Sequence, residues 1–307
     1  MDAYGSEGRC REILEELRWP FGVRCPKCEG ATVSRIGGRG FECSSKSCGY
    51  QFSVTAGTIF HDSHLPLRKW FVAVYLMTES RKGISANSLK QMLGIGSYRT
   101  AWYLCHRIRA AMVDTHPAPL TGLVEADETY LGGKLSNVHG CKPRYSPEDG
   151  RRAASRVRMR NKVIVLGAVE RGRNLGVRMA QTNRKGAVKE FFGEVIADNA
   201  EAIFIDEFRT YNWVGDEHTI DDSVNHRTGE YVGGVVHTNT MESAWSLFDR
   251  AVIGAHHKLS AKHLPAYLAE FEWRFNNREN PYLFRDTLAR LIAAEALPYK
   301  RLIQADQ

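Results

Sequence analysis

Three carboxylates in this sequence sit where a chain could aim them at one point. Asp206 ends the apolar run Ala202-Ile203-Phe204-Ile205, Asp127 falls within Leu123-Val124-Glu125-Ala126-Asp127-Glu128-Thr129-Tyr130, and Glu242 opens a helical pattern after Thr238-Asn239-Thr240-Met241. Two strands delivering Asp127 and Asp206, and a helix delivering Glu242, would offer hard oxygen donors to a pair of Mg2+ (or Mn2+) ions. Such a site suits phosphoryl transfer, in which a nucleophile attacks in line with the leaving oxygen and charge is compensated on both sides. These residues also have quieter roles. Acids at strand ends commonly serve turns. With Asn239 as N-cap, Glu242 takes the N3 position of a capping box, so capping and metal binding compete for one carboxylate.

A second cluster is built of sulfur. Cys25-Pro26-Lys27-Cys28 is followed, after fourteen intervening residues, by Cys43-Ser44-Ser45-Lys46-Ser47-Cys48. Short strands at 31–35 and 41–42 around Gly37-Gly38-Arg39-Gly40 would put both pairs on hairpin turns, presenting four thiolates to a tetrahedral Zn2+. Four thiolates leave no open position, so this zinc is structural. A lobe this small cannot bury a core of its own, and metal binding would supply its folding energy. The second pair is spaced by four residues where two are usual; unligated buried thiols are the other reading.

Both clusters need a scaffold. The chain has 307 residues, 43% of them hydrophobic, with a net charge of +7 and a pI near 9.0. That is enough for one large core or a few smaller domains, and the basic balance favours an acidic partner such as DNA. The remaining cysteines, Cys10, Cys105 and Cys141, are scattered and form no extracellular disulfide set. The first residues have no signal-peptide form, and the run from Trp70 to Met77 is too short to span a bilayer. A soluble, cytoplasmic setting with no membrane follows as the expectation.

Upstream of the acids, Leu67, Trp70, Phe71, Val74 and Tyr75 repeat at helical spacing after Pro66. Ser85 could cap a second helix, Gly94-Ile95-Gly96 makes a turn, and Ser97 could cap a third helix carrying Arg99, Tyr103, His106, Arg107 and Arg109 away from its apolar face. Helix, glycine turn and basic helix outline a helix-turn-helix, with Arg99, Tyr103, Arg107 and Arg109 as candidate DNA-binding residues. An ordinary helical hairpin with a solvated basic face is the alternative. His116-Pro117-Ala118-Pro119 reads as a linker.

Beyond it, strands at 123–130, 163–169 and 174–180, a helix at 185–196 and a strand at 202–208 follow in order. This is the order of an RNase-H-like α/β core, a mixed five-stranded sheet with helices. The lysine- and arginine-rich stretch 134–162 reads equally as a phosphate-gripping arm or a solvated insertion. The domains expected are 1–58 (helix and zinc ribbon), 59–115 (helix-turn-helix), 120–282 (catalytic core) and 283–307 (a C-terminal helical tail).

Glu125-Ala126-Asp127-Glu128-Thr129-Tyr130-Leu131-Gly132-Gly133-Lys134 resembles the first-aspartate motif of a group of bacterial insertion-sequence transposases related to the eukaryotic Merlin elements. Ile205-Asp206-Glu207-Phe208-Arg209-Thr210-Tyr211 is similar to their second-aspartate motif. Val224-Asn225-His226, Gly229-Glu230-Tyr231 and His237-Thr238-Asn239-Thr240-Met241-Glu242-Ser243 resemble the approach to the third acid. Gln51 to Phe60 with Leu65 to Trp70 is similar to the family's junction of zinc ribbon and helix. The resemblance runs from about residue 19 to 280. It implies a DDE-type transposase that cuts the terminal inverted repeats of its element and joins the ends to target DNA, with two Mg2+ ions, in a homo-dimer or higher assembly in the bacterial nucleoid. Asp127 and Asp206 would be the metal aspartates and Glu242 the third member, with Asn239 as the alternative. Arg250 would contact a DNA phosphate or form a surface ion pair. A catalytically inactive DNA-binding derivative is the competing reading.

Overall fold

The computed structural model describes residues 5–132, 162–205 and 238–304. They fall into two compact units, the first built from the chain up to Val113 and again from Asn277 on, the second from Asp114 to Asn276. In chain order the first unit holds α1 (Glu7–Arg18), β1 (Val33–Ile36), β2 (Gly40–Cys43), β3 (Gln51–Phe52), α2 (Leu67–Glu79), α3 (Ala86–Met92) and α4 (Tyr98–Met112). The second holds β4 (Leu123–Leu131), β5 (Val163–Glu170), β6 (Leu175–Ala180), α5 (Lys185–Val195), β7 (Ala202–Ile205), α6 (Asn239–Ala251) and α7 (Leu264–Asn276). The chain then returns to the first unit as α8 (Leu283–Ala293) and α9 (Tyr299–Ile303).

In the first unit β1, β2 and β3 form an antiparallel meander, with Val33 opposite Cys43 and Phe41 opposite Phe52. Trp19 meets the rings of Phe41 and Phe52 edge-on at 5.5 and 6.0 Å, giving this small sheet an aromatic core beside its cysteines. Ser6 caps α1 and Ser85 caps α3 through their hydroxyls, as a polar residue ahead of an apolar helical face should. Pro66 has no such group, and the N-terminus of α2 is capped instead by the Glu7 carboxylate, which accepts from the N–H groups of Leu67 (2.8 Å) and Arg68 (3.3 Å). Gly94, at φ +58°, makes the left-handed corner between α3 and α4. The stretch expected as a tail packs inward: α8 lies against α1, α2 and α4 and buries Leu288 and Leu291.

The sheet of the second unit has the order β6-β5-β4-β7, antiparallel except for the parallel β4–β7 pair. Five strands were expected; the described residues contain four in this sheet, and 206–237 lie outside them. β5 reads Val-Ile-Val-Leu-Gly-Ala-Val-Glu, an almost unbroken apolar run, because both faces of the sheet are covered. On one face Val124, Ala126, Leu166 and Ala168 pack against Val188, Phe191 and Val195 of α5. On the other, Val165, Val169, Leu175 and Val177 pack against Met241, Trp245 and Phe248 of α6 and Leu268 and Phe271 of α7. Gly167 lets α6 come close, since a Cβ there would lie 2.5 Å from both Met241 Cε and Trp245 Cζ2. Edge strand β6 is not left open: the Asn276 amide bonds both backbone groups of Leu175 (2.7 and 2.9 Å), and Glu272 accepts from Val177 N–H (3.3 Å). Among the described residues no helix is long and apolar enough to cross a membrane.

Candidate functional site

Strand β4 is the platform. Its side chains alternate between faces, Val124 and Ala126 turning to α5 while Glu125 turns to α6. Asp127, two residues on from Glu125, therefore shares the α6 face; it pairs with Gly167 and is half-buried. The parallel pairing with β7 ends at Ala126 opposite Ile205. Asp206 follows Ile205 in sequence and lies outside the described residues, as do the other motif residues between 206 and 237 and the basic stretch 134–162 save Lys162.

The N-terminus of α6 is fixed to β4 by Glu125, the opening residue of the first-aspartate motif, to which the sequence assigns no role of its own. Glu125 is fully buried, and one carboxylate oxygen accepts from the N–H groups of Thr240 (2.7 Å) and Met241 (2.9 Å). The other accepts from Thr240 Oγ1 (2.9 Å) and from Arg171 Nε (2.6 Å). The Arg171 guanidinium also lies over the Phe204 ring of β7, 4.5 Å from its centroid, and the backbone N–H of Arg171 donates to Leu123 O of β4. An ionised group inside a strand flanked by Val124 and Ala126 needs such partners. That apolar setting was the one sequence signal that could have exposed it.

This anchoring corrects the capping box. The N-cap of α6 is Thr238, Asn239 is the first helical residue, and Glu242 stands one place beyond N3, its own N–H donating to Thr238 O (3.0 Å). Two N–H groups of the first turn, those of Thr240 and Met241, are satisfied by Glu125. Glu242 is an exposed acid in that first turn, beside buried Met241, where the helix dipole favours negative charge. Asn239 is also exposed. Arg250 is exposed in the last turn and donates to Ser246 O (3.1 Å), about 12 Å along the axis from Glu242.

Near the end of β4, Tyr130 donates to Glu128 Oε1 (3.2 Å) and accepts from Asn183 Nδ2 (3.0 Å). Burial, and then the negative charge of Glu128, push the Tyr130 phenol up to about 12, so it stays a donor at neutral pH.

In the first unit the sulfurs of Cys25, Cys28, Cys43 and Cys48 all lie within 4.8 Å of one another, with Cys25–Cys48 at 3.8 Å and Cys28–Cys43 at 3.5 Å. A tetrahedron with metal–sulfur bonds of about 2.3 Å has edges of about 3.8 Å, so the four fit Zn2+. Burial would raise the Cys25 thiol, but the N–H groups of Lys27 and Cys28 and the neighbouring thiols bring it down to about 7. For Cys43 the N–H of Ser45 works downward, and burial with the other three thiols outweighs it, pushing it up to about 12. A bound cation must therefore expel protons.

Helices α3 and α4 with their glycine corner are present as read, but two candidate DNA contacts are not on the surface. Arg107 is buried under Trp70 (4.9 Å) and Tyr103 (5.2 Å), donates to His61 O (2.6 Å), and has its pKa lowered by burial. Arg109 is 1% exposed, and His106 likewise lies in the core. Tyr103 uses its hydroxyl on Leu297 O and its ring against Tyr299 of α9. Of the four, Arg99 alone is exposed, flanked by exposed Tyr98 and Thr100 at the start of α4.

Residues 119–276 match the ISXO2-like transposase domain of the IS1595 group, and residues 5–51 match the transposase zinc-ribbon domain of the same group. The chain belongs to the IS1595 transposase family. It is also 33% identical over 278 residues to an uncharacterized protein in transposable element ISH50 of Halobacterium salinarum, an alignment covering 88% of this chain and 90% of that protein. The four cysteines thus belong to the family's zinc ribbon, and the sheet with α5, α6 and α7 belongs to its DDE domain.

Proposed function

We propose that this chain is a DNA transposase that cleaves at the terminal inverted repeats of an insertion sequence and joins the 3′ ends to target DNA. The observation that carries the reading is the parallel pairing of β4 and β7, which ends at Ala126 and Ile205. Aspartate is the next residue of the sequence after each. The strand order supports an RNase-H-like core, with the first strand between an antiparallel second and a parallel fourth.

Asp127, Asp206 and Glu242 would hold Mg2+, their all-oxygen donor set matching a hard ion; Asn239, at the mouth of the same helix, is the alternative third residue. When bound, such ions would offset charge on the attacking and leaving oxygens. A water molecule attacks the phosphorus at the repeat end, a new P–O bond forms, the bond to the 3′ oxygen breaks, and that oxygen takes up a proton. The 3′ hydroxyl then attacks a target phosphorus, one P–O bond replacing another, so no external energy source is needed. Arg250 would contact a DNA phosphate. Arg99, with Tyr98 and Thr100, stands at the N-terminal end of the second helix of a helix-turn-helix, the part that such helices present to base edges. The protein would work in the cytoplasm on double-stranded DNA, two or more copies holding the paired ends.

The test uses purified protein, duplexes ending in the element's inverted repeats, a target plasmid and Mg2+. Wild type should produce covalently joined ends, and Asp127→Asn, Asp206→Asn or EDTA should reduce joining below detection. Equal joining by the aspartate variants would refute the assignment; repeat binding without joining by wild type would mark an inactive DNA-binding derivative.

A further inference from the structure

We infer that Glu125 and Arg171 are positioning residues for this active site, a buried ion pair that fixes the acid-bearing elements against one another. The inference rests on the reading of Asp127, Asp206 and Glu242 as the metal ligands. Glu125 precedes Asp127 by two residues on the same strand and the same face. Its carboxylate holds the N–H groups of Thr240 and Met241, the residues just before Glu242. Arg171 neutralises that carboxylate at 2.6 Å and stacks on Phe204, two residues before Asp206 in sequence. One pair thus touches the two elements that carry Asp127 and Glu242, and the strand after which Asp206 follows in sequence.

Placement decides what the pair can do. Glu125 is fully buried, whereas Asp127 is half-buried and Glu242 exposed, so it acts through the helix it holds rather than on DNA or metal. Its charge matters as well as its shape: two helix N–H groups, a hydroxyl and a guanidinium all point donors at it. An amide of equal size must turn its own N–H groups toward some of those donors, which leaves buried polar atoms unpaired. The first turn of α6 then loosens from β4, and Glu242 with it. Thr240→Val removes only the 2.9 Å hydroxyl contact and leaves both backbone donors, giving a milder version of the same disturbance.

The test compares wild type, Glu125→Gln, Thr240→Val, Arg171→Met and, as a site control, Asp127→Asn. Each would be assayed as full-length zinc-loaded protein with its amount of folded material measured. Hydrogen exchange should show faster exchange of the Thr240 and Met241 amides in Glu125→Gln, with strands β4 and β5 still protected. Joining per folded molecule at saturating Mg2+ should fall about 10–100-fold in Glu125→Gln and Arg171→Met, the range seen when groups behind metal ligands are altered. Thr240→Val should lose only a few-fold. Mn2+ binding to the DNA-bound protein, followed by electron paramagnetic resonance, should weaken in parallel, while affinity for repeat DNA stays at the wild-type value. Wild-type joining and Mn2+ binding per folded molecule in both Glu125→Gln and Arg171→Met would overturn the inference, even if those variants melt earlier, because the pair would then serve stability alone. Wild type that fails to join ends, or Asp127→Asn that joins them normally, would overturn the underlying site reading instead.

Discussion

Arg107 and Arg109 show how a side chain's role depends on what covers it. Their own helix suggests a basic outer face, and nothing within α4 contradicts that. The cover comes from outside that helix: the Trp70 ring of α2 and the His61 carbonyl meet Arg107, and α8 also packs on α4. Arg107 consequently spends its charge on a backbone carbonyl and two aromatic rings. Arg107→Ala should lower stability by about 2–4 kcal/mol, through lost cation–π contacts and an unpaired His61 carbonyl, in thermal or denaturant unfolding. Arg99→Ala should leave the melting temperature unchanged. It should weaken binding to repeat DNA and, if Arg99 meets a phosphate, lower the slope of log affinity against log salt by about 1, as read by fluorescence anisotropy.

At the scale of elements, sequence periodicity was sufficient where a segment's partner is its neighbour. Strands β4, β5 and β6, helix α5 and the α3–α4 pair stand where apolar spacing and glycine corners put them. The cysteine spacing foretold the sulfur cluster for the same reason. What escaped were caps supplied from a distance: Glu7 on α2, sixty residues away, and Glu125 on α6, some 115 residues away. Local capping rules assume that a helix caps itself, which is why Glu242 was given a box it does not form. The sulfur cluster carries its own prediction. Because protons compete with Zn2+ for the thiolates, zinc affinity should fall as the pH is lowered from about 8 to about 6, in a competition assay with a metal-sensitive dye. Stripping the metal should unfold the β1–β3 meander, seen as loss of amide protection there while β4–β6 stay protected. The covered edge of β6 predicts a different pH effect. Burial first, opposed by Arg178, leaves the Glu272 carboxyl with a raised pKa. The folded state therefore holds this proton longer than the unfolded chain does. As pH rises from the ordinary glutamate range through the raised folded value, Glu272 subtracts stability. Glu272→Gln keeps an acceptor for Val177 N–H and should remove that loss, so the gap between its melting temperature and that of wild type should close or reverse as pH increases through this window.

For the molecule as a whole, the net charge of +7 suits a polyanionic partner, and the discontinuous first unit sets how the fold is completed. Leu288 and Leu291 of α8 complete a core begun by α1, α2 and α4. Truncation after Asn276 should strip amide protection from those three helices and abolish repeat-DNA binding, with the β4–β6 ladders still protected, as hydrogen exchange would report.

That same discontinuity gives protein synthesis a part in the outcome. The chain between α4 and α8 takes on the order of ten to thirty seconds to translate. Throughout that interval the inner face of α4 waits on the ribosome for helices not yet made. A nascent copy can mature its DDE domain early, but its proposed DNA-reading half becomes whole only once α8 has been made, so a copy interrupted before then would carry a DDE domain with no finished means of finding an element's ends.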